Sequence, residues 1–336
     1  MTPSAGYILV AGAGSWGTTL AAMLADKGFD VLLWAYEEEL VEQINNDRTN
    51  HVYLPDIKLP FDLRATHNLV AAASTARYII NAVPTQYIRS VFRPLKTLLN
   101  CDSVIVSVSK GIEIGTLLTP SLILKEVLGR PASVLSGPSF AKEVLDRKPT
   151  AVTLAAEDKK TGLLLQEVFN TDYFRVYTHD DIIGVEFGGA LKNVVAIAAG
   201  ICDGMGLGYN ARAALITRGL SEIARLGLRM NAQKMTFSGL SGLGDLVLTC
   251  TGGLSRNYSV GFKLGQGMKL DDITGQMPQI AEGIATTLAA HDLAKKQEMD
   301  MPITKQVYLT LYEGKPPSEA LSDLMNRSLK MEFYGY

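Results

Sequence analysis

Along the first half of the chain, short apolar runs alternate with stretches whose apolar positions follow a helical period. Residues 7–11 are short, apolar and β-branched and read as a buried strand, and Asp30 to Trp34 reads as a second apolar strand. Residues 78–83, 103–108, 133–135 and 151–155 repeat that pattern. Helical segments at 18–27, 88–99 and 117–128 lie between some of them, and Gly28 ends the first. This alternation predicts a mostly parallel sheet covered by helices. Beyond Asp181 the texture changes to long alanine- and leucine-rich periods at 183–202, 211–228, 256–268, 281–296, 302–312 and 317–326, without a strand pattern. The expected fold class is α/β: an N-terminal Rossmann-type, doubly wound domain over residues 1–182, followed by an all-α domain over 183–336. A cleft between them is the expected ligand site.

Between the first strand and the first helix stands Gly12-Ala13-Gly14-Ser15-Trp16-Gly17. A G-x-G-x-x-G stretch is weak alone, but here it sits inside a strand-loop-helix-strand unit. Gly12 permits the tight turn out of the strand. Gly14 lets the backbone approach a pyrophosphate with no Cβ in the way, and Gly17 lets the helix pack close on the sheet. The competing reading is a tight turn with packing glycines and no ligand. The whole unit favours a bound dinucleotide.

Composition narrows the class further. The chain has 336 residues and is 47% hydrophobic, enough for two cored domains. A net charge of −2 gives no reason to expect nucleic acid or an anionic membrane surface. Cys101, Cys202 and Cys250 are isolated and lack metal-ligand spacing, as expected in a reducing compartment. His51, His67, His179 and His291 are scattered without ligand spacing, and Glu37 to Glu39 read as a solvated helix start. The N-terminus carries no basic-then-apolar leader, and the apolar run near 194–199 is too short to span a membrane. The expected location is the cytoplasm, with no membrane insertion, no metal and no nucleic-acid partner.

Several polar residues stand where chemistry is expected. Lys110 directly follows the strand in "SVSKGIE", at the carboxyl edge where open α/β sheets bind ligands. Lys192, in "GVEFGGALKNVVAIAAG", has almost only apolar or glycine neighbours. A lysine so placed must find a partner or lose its charge, which lowers its pKa and suits proton transfer. Gly188 and Gly189, one turn earlier, are expected to leave room for a ligand beside the ammonium. The plainer readings are a solvated loop lysine for Lys110 and a snorkelling one for Lys192. Ser255 is a good N-cap, and Arg256 and Asn257 follow it in the first turn, a natural phosphate site. "SGPSFAKEV" adds a glycine loop at a strand-to-helix junction, and "GLGDLVLTC" brings Asp245 and Thr249.

Taken in order, "GAGSWGT", "SKGIE", "SGPSFAKEV", "GGALKNVVAIAAGICDGMGLGYNARAALITRG", "GLGDLVLTCTGGLSRN" and "AEG" resemble the successive signatures of bacterial NAD(P)-dependent glycerol-3-phosphate dehydrogenases. The resemblance spans nearly the whole chain. It implies reversible reduction of dihydroxyacetone phosphate to sn-glycerol 3-phosphate, supplying glycerophospholipid synthesis, by a cytoplasmic homodimer. It also implies roles. Ser15, Trp16, Tyr36, Lys110, Ala141, Arg256, Ile280 and Glu282 match cofactor-contacting positions. Lys110, Gly137, Ser139, Lys192, Asp245, Ser255, Arg256 and Asn257 match substrate-contacting ones, with Asn193 and Thr249 close by. Lys192 matches the proton donor and acceptor; Lys110 would polarise the ketone, and Asp245 would bind the substrate or set the charge of the lysines.

The end of the second strand reads Trp34-Ala35-Tyr36-Glu37, with neither an acidic residue for a ribose nor an arginine for a 2′-phosphate at the strand end itself. Glu37 could reach a ribose; the family often prefers NADPH. The cofactor is therefore NAD or NADP. Two rivals are a different β-hydroxyacid or sugar dehydrogenase, which would not need a phosphate site at 255–257, and a non-catalytic dinucleotide sensor, which would need neither Lys110 nor Lys192.

Overall fold

The computed structural model describes residues 7–277, 281–329 and 331–332. Ile280, expected at the cofactor, lies outside the described residues. The chain forms two compact units. The first ends its opening stretch at Ser109 and resumes over Pro120–Asp180; the second comprises Lys110–Thr119 and the chain from Asp181 onward. A single cut near residue 182 therefore misplaces Lys110–Thr119.

In the first unit an eight-stranded sheet runs β8-β7-β6-β5-β4-β1-β2-β3. These strands are β1 (Ile8–Ala11), β2 (Val31–Trp34), β3 (Arg64–Thr66), β4 (Tyr78–Asn81), β5 (Val104–Ser107), β6 (Ser133–Ser136), β7 (Thr150–Ala155) and β8 (Phe174–His179). All four residues of β1 are fully buried, as a strand covered on both faces must be. β1 pairs in parallel with both β2 and β4, Ile8 standing opposite Val31 and Tyr78. The chain thus moves outward from β1 in both directions. That makes the β1/β4 gap a topological switch point, where such sheets open a crevice at their carboxyl ends.

The sheet is mostly parallel, as expected, with one exception. β6 and β7 pair antiparallel, because the connection between them carries only the short helix Ala141–Leu145 and cannot make a crossover. β3 leaves no strand pattern in the sequence because it is three residues long with one buried position, Ala65. β8 is an edge strand, "FRVYTH", whose inward residues Phe174 and Val176 alternate with exposed polar ones. The helix expected from 117 begins at Pro120, since Leu117 sits at φ 63° and a residue before proline avoids helical geometry. The helix Ile88–Phe92 passes into a 3₁₀ turn at Arg93–Leu95, where Pro94 ends the regular pattern.

The helix α1 (Ser15–Asp26) follows β1. The second unit is built around α2 (Ile182–Gly204), packed by α3 (Gly208–Arg229), α4 (Asp245–Thr251), α5 (Arg256–Gly265) and α6 (Glu282–Lys296). The short helix Leu270–Gly275 and α4 fall where no helix was expected. By length and composition α2 could cross a membrane, a longer apolar helix than the sequence reading allowed. Its most apolar stretch is 89% buried inside the protein, so it is a core helix. Its approach to α5 depends on glycine in both partners. Side chains at Gly200 and Gly204 would strike the backbone of Tyr258 and Phe262; at Gly261 they would strike that of Ile197. Backbone thus lies directly on backbone, which fixes where α5 begins.

Candidate functional site

In the first unit, the loop after β1 has the shape its glycines imply. Gly12 adopts φ +116°, and a Cβ there would lie 2.7 Å from the Ala82 carbonyl oxygen, so the chain turns hard against the end of β4. A Cβ on Gly17 would strike the Gly12 carbonyl. Gly14 is different: a Cβ there would meet nothing within 4 Å. Its missing side chain leaves open space rather than allowing close packing.

Above that space the first turn of α1 has neither a side-chain cap nor an acidic residue. By contrast α2 and α5 are capped: Asp181 accepts from the Gly184 N–H at 2.8 Å, and Ser255 from the Tyr258 N–H at 3.2 Å. An uncapped helix end with its positive dipole facing open space fits a pyrophosphate. Around it, the Ser15 hydroxyl donates to the Tyr53 carbonyl at 2.9 Å, and the Trp16 ring lies 6.3 Å from that of Phe174. Tyr36, just past β2, is 80% exposed.

In the "SGPS" loop, Gly137 stands at φ +147° and a Cβ would lie 2.9 Å from Val152 Cα, so packing on β7 already requires glycine. Ser139 donates back to the Gly137 carbonyl at 3.0 Å, and Ala141 opens the short helix that follows.

In the second unit four of the expected residues converge. A π-helical turn, Leu240–Gly244, runs into α4 and carries Asp245 against α2. The ligand space expected beside Gly188 is instead filled by the chain itself. A Cβ there would lie 2.5 Å from the Ser241 carbonyl oxygen, so the glycine admits the turn that delivers Asp245. The Lys192 ammonium donates to Asp245 Oδ1 and, at 2.8 Å, to Thr249 Oγ1. Lys110 donates to Asp245 Oδ2 at 2.7 Å. Thr249 Oγ1 donates in turn to the Asp245 backbone carbonyl at 2.6 Å.

Asp245 is wholly buried, and Lys192 nearly so. Burial lowers the Lys192 pKa to about 8; Asp245 opposes the shift and the nearby Lys110 charge adds to it. The cluster is therefore two ammonium groups on one carboxylate, with one ammonium able to release its proton near neutral pH. Cys250, close by, has its thiol pushed up to about 12 by burial and stays protonated. Lys110 reaches the cluster because its segment is anchored in the second unit. Ile112 is fully buried in that unit's core, and Thr119 Oγ1 donates to the buried Glu186 carboxylate at 2.6 Å.

Asn257 and Arg256 occupy the first turn of α5, Arg256 exposed and Asn257 buried. Asn257 Oδ1 accepts from the Gly283 N–H at 2.9 Å, which leaves its amide Nδ2 to donate elsewhere. Gly283 must be glycine here, since a Cβ would lie 2.6 Å from Asn257 Oδ1 and 3.0 Å from the Asn193 carbonyl. Asn193 is buried next to Lys192, and Glu282 is the first residue of α6.

Comparison with known proteins divides the chain once, between residues 162 and 181, and keeps Lys110–Thr119 with the N-terminal part. Residues 7–162 match the model for the NAD-dependent glycerol-3-phosphate dehydrogenase N-terminus, and residues 181–322 match that for the C-terminus of the same family. The chain is 54% identical over 327 residues to a glycerol-3-phosphate dehydrogenase [NAD(P)+] of Geobacter sulfurreducens, covering 96% of this chain and 98% of the relative. A crystal structure of glycerol-3-phosphate dehydrogenase from Coxiella burnetii superposes with a TM-score of 0.93 at 41% identity, over 97% of this chain and 100% of that one. A ketopantoate reductase from Ralstonia eutropha, 13% identical with a TM-score of 0.60, covers 94% of this chain and 99% of its own, and shares the fold alone.

Proposed function

The chain belongs to the NAD-dependent glycerol-3-phosphate dehydrogenase family, and from that premise we propose which of its residues carry the reaction. The enzyme is an oxidoreductase that interconverts dihydroxyacetone phosphate and sn-glycerol 3-phosphate with NAD or NADP, a reaction that supplies glycerophospholipid synthesis. When bound, the nicotinamide supplies or accepts the hydride. The residues of the chain do the rest. The 12–17 loop and the uncapped start of α1 hold the pyrophosphate. Arg256, with the Nδ2 group of Asn257, grips the substrate phosphate at the start of α5 and so fixes the carbon that reacts. Lys110 polarises the carbonyl oxygen, and Lys192 delivers a proton to that oxygen as negative charge develops on it.

Asp245 keeps both lysines in place and holds Lys192 protonated enough to act as the acid. In the oxidation direction the same lysine takes the hydroxyl proton. The observation that carries this reading is the buried Lys192–Asp245–Lys110 cluster, which a mere dinucleotide sensor would not need. An assay of reduced-cofactor consumption with dihydroxyacetone phosphate, run with NADH and NADPH in parallel, tests it. Turnover is expected with at least one cofactor, and none with either would remove the proposal. The resemblance further supports a cytoplasmic location and a homodimer, the second of which sedimentation of the purified protein would test.

Arg256→Ala is expected to raise the KM for dihydroxyacetone phosphate by about one to two decades, the value of a charge-assisted phosphate contact. Unphosphorylated dihydroxyacetone should be almost indifferent to the change. Equal losses on both substrates would take Arg256 away from the phosphate.

A further inference from the structure

We infer that Asn50, a residue outside every recognised motif, is a positioning residue that sets the orientation of the Ala13–Gly14 peptide for the cofactor. The inference rests on the reading of the 12–17 loop as the pyrophosphate site. Asn50 lies in a short antiparallel ribbon, Thr49–Asn50 with Leu54–Lys58, and is fully buried. Its side chain makes three hydrogen bonds at once. Nδ2 donates to the Ala13 carbonyl at 2.9 Å and to Thr18 Oγ1 at 2.9 Å, and Oδ1 accepts from the Tyr53 N–H at 3.1 Å. Thr18 Oγ1 donates to the same Ala13 carbonyl at 3.0 Å.

A planar trans peptide holds its C=O and N–H in opposite directions. Two donors holding the Ala13 oxygen inward therefore turn the Gly14 N–H outward, toward the space that a Cβ on Gly14 would find empty. The ribbon grips the loop a second time through Ser15 Oγ and the Tyr53 carbonyl. A glycine loop has the greatest conformational freedom in the chain and loses the most on ordering. Asn50 and Thr18 spend that entropy during folding, so the donor is already aimed when the anion arrives.

Steady-state kinetics on the whole enzyme separates this role from general support of the fold. Asn50→Ala, and Asn50→Asp, which keeps the size but loses the donor, should each raise the KM for NAD(P)H about tenfold, the worth of the two neutral hydrogen bonds that Nδ2 donates and both variants lose. The KM for dihydroxyacetone phosphate and the kcat at saturating cofactor should stay within about twofold. Thr18→Val loses both the bond to the Ala13 carbonyl and the one accepted from Asn50, so it should also raise the cofactor KM about tenfold, and Thr18→Ser, which keeps the hydroxyl, should restore it. An unchanged cofactor KM in folded Asn50→Ala and Thr18→Val would overturn the inference, as would equal losses in kcat and in both KM values. Gly14→Val in parallel tests the loop itself. Lost cofactor binding there, with the Asn50 variants binding normally, defeats only the role of Asn50. Normal binding by Gly14→Val defeats the loop assignment and the inference together.

Discussion

Lys192→Ala is expected to slow single-turnover reduction of the ketone by at least about 10²–10⁴-fold, the usual worth of a positioned general acid. Loss of a positive charge beside the developing alkoxide adds to that. Cofactor affinity should hardly change, since the position of Lys192 matches a substrate-contacting one and not a cofactor-contacting one. Lys192→Arg should recover little activity. A guanidinium keeps the charge but holds its proton far more tightly, and its planar fork needs more room than a site closed by Asp245 and Thr249 allows. A snorkelling lysine would behave otherwise, costing some stability on truncation and leaving turnover near wild type. A folded Lys192→Ala enzyme within a few-fold of wild type would pass the role of acid to Lys110.

Asp245→Asn has the second large effect, and it acts on stability and chemistry together. One buried carboxylate neutralises two ammonium groups here. Removing one member of a buried ion pair typically costs about 3–5 kcal/mol, because the charges left behind are neither solvated nor paired. The amide that replaces the carboxylate could still accept from one lysine, so the loss should fall toward the lower end, about 3 kcal/mol in denaturant melts. The lysines respond by shedding charge. Asp245 is what raises the Lys192 pKa against burial, so without it that pKa falls well below about 8. Reduction at neutral pH should then be slow and improve as the medium is made more acidic, the reverse of a simple loss of fold. A variant as stable as wild type, with an unaltered pH profile, would show that Asp245 is not the partner of Lys192.

The sequence showed the elements with strong periods and the residues with unusual neighbours. β1 and α1 were plain because an unbroken apolar run and an alanine-rich period flank three glycines. Lys192 stood out because a charge amid valine, alanine and glycine is costly unless used. Local pattern could not tell why a glycine was there. Gly14 leaves open space, Gly188 admits the Ser241 backbone, and Gly137 clears Val152, yet all three look alike in sequence. Nor could it place Lys110–Thr119 in the helical unit, since that depends on Ile112 and on the Thr119–Glu186 bond across a long separation. Asn50 was invisible for the same reason: its partners, Ala13 and Thr18, lie more than thirty residues away.

The pH dependence of kcat/KM for dihydroxyacetone phosphate reduction tests the proton-transfer role of Lys192 most directly, because that quantity reports the ionisations of the free enzyme. Reduction requires the protonated ammonium. The rate constant should therefore be level at neutral pH and fall tenfold per unit above a break near 8, where burial has brought the Lys192 pKa. Oxidation of glycerol 3-phosphate should rise through the same break. A profile that stays level to about pH 10, near the ordinary lysine value, or a break that persists unchanged in Lys192→Ala, would contradict the assignment of Lys192 as the acid.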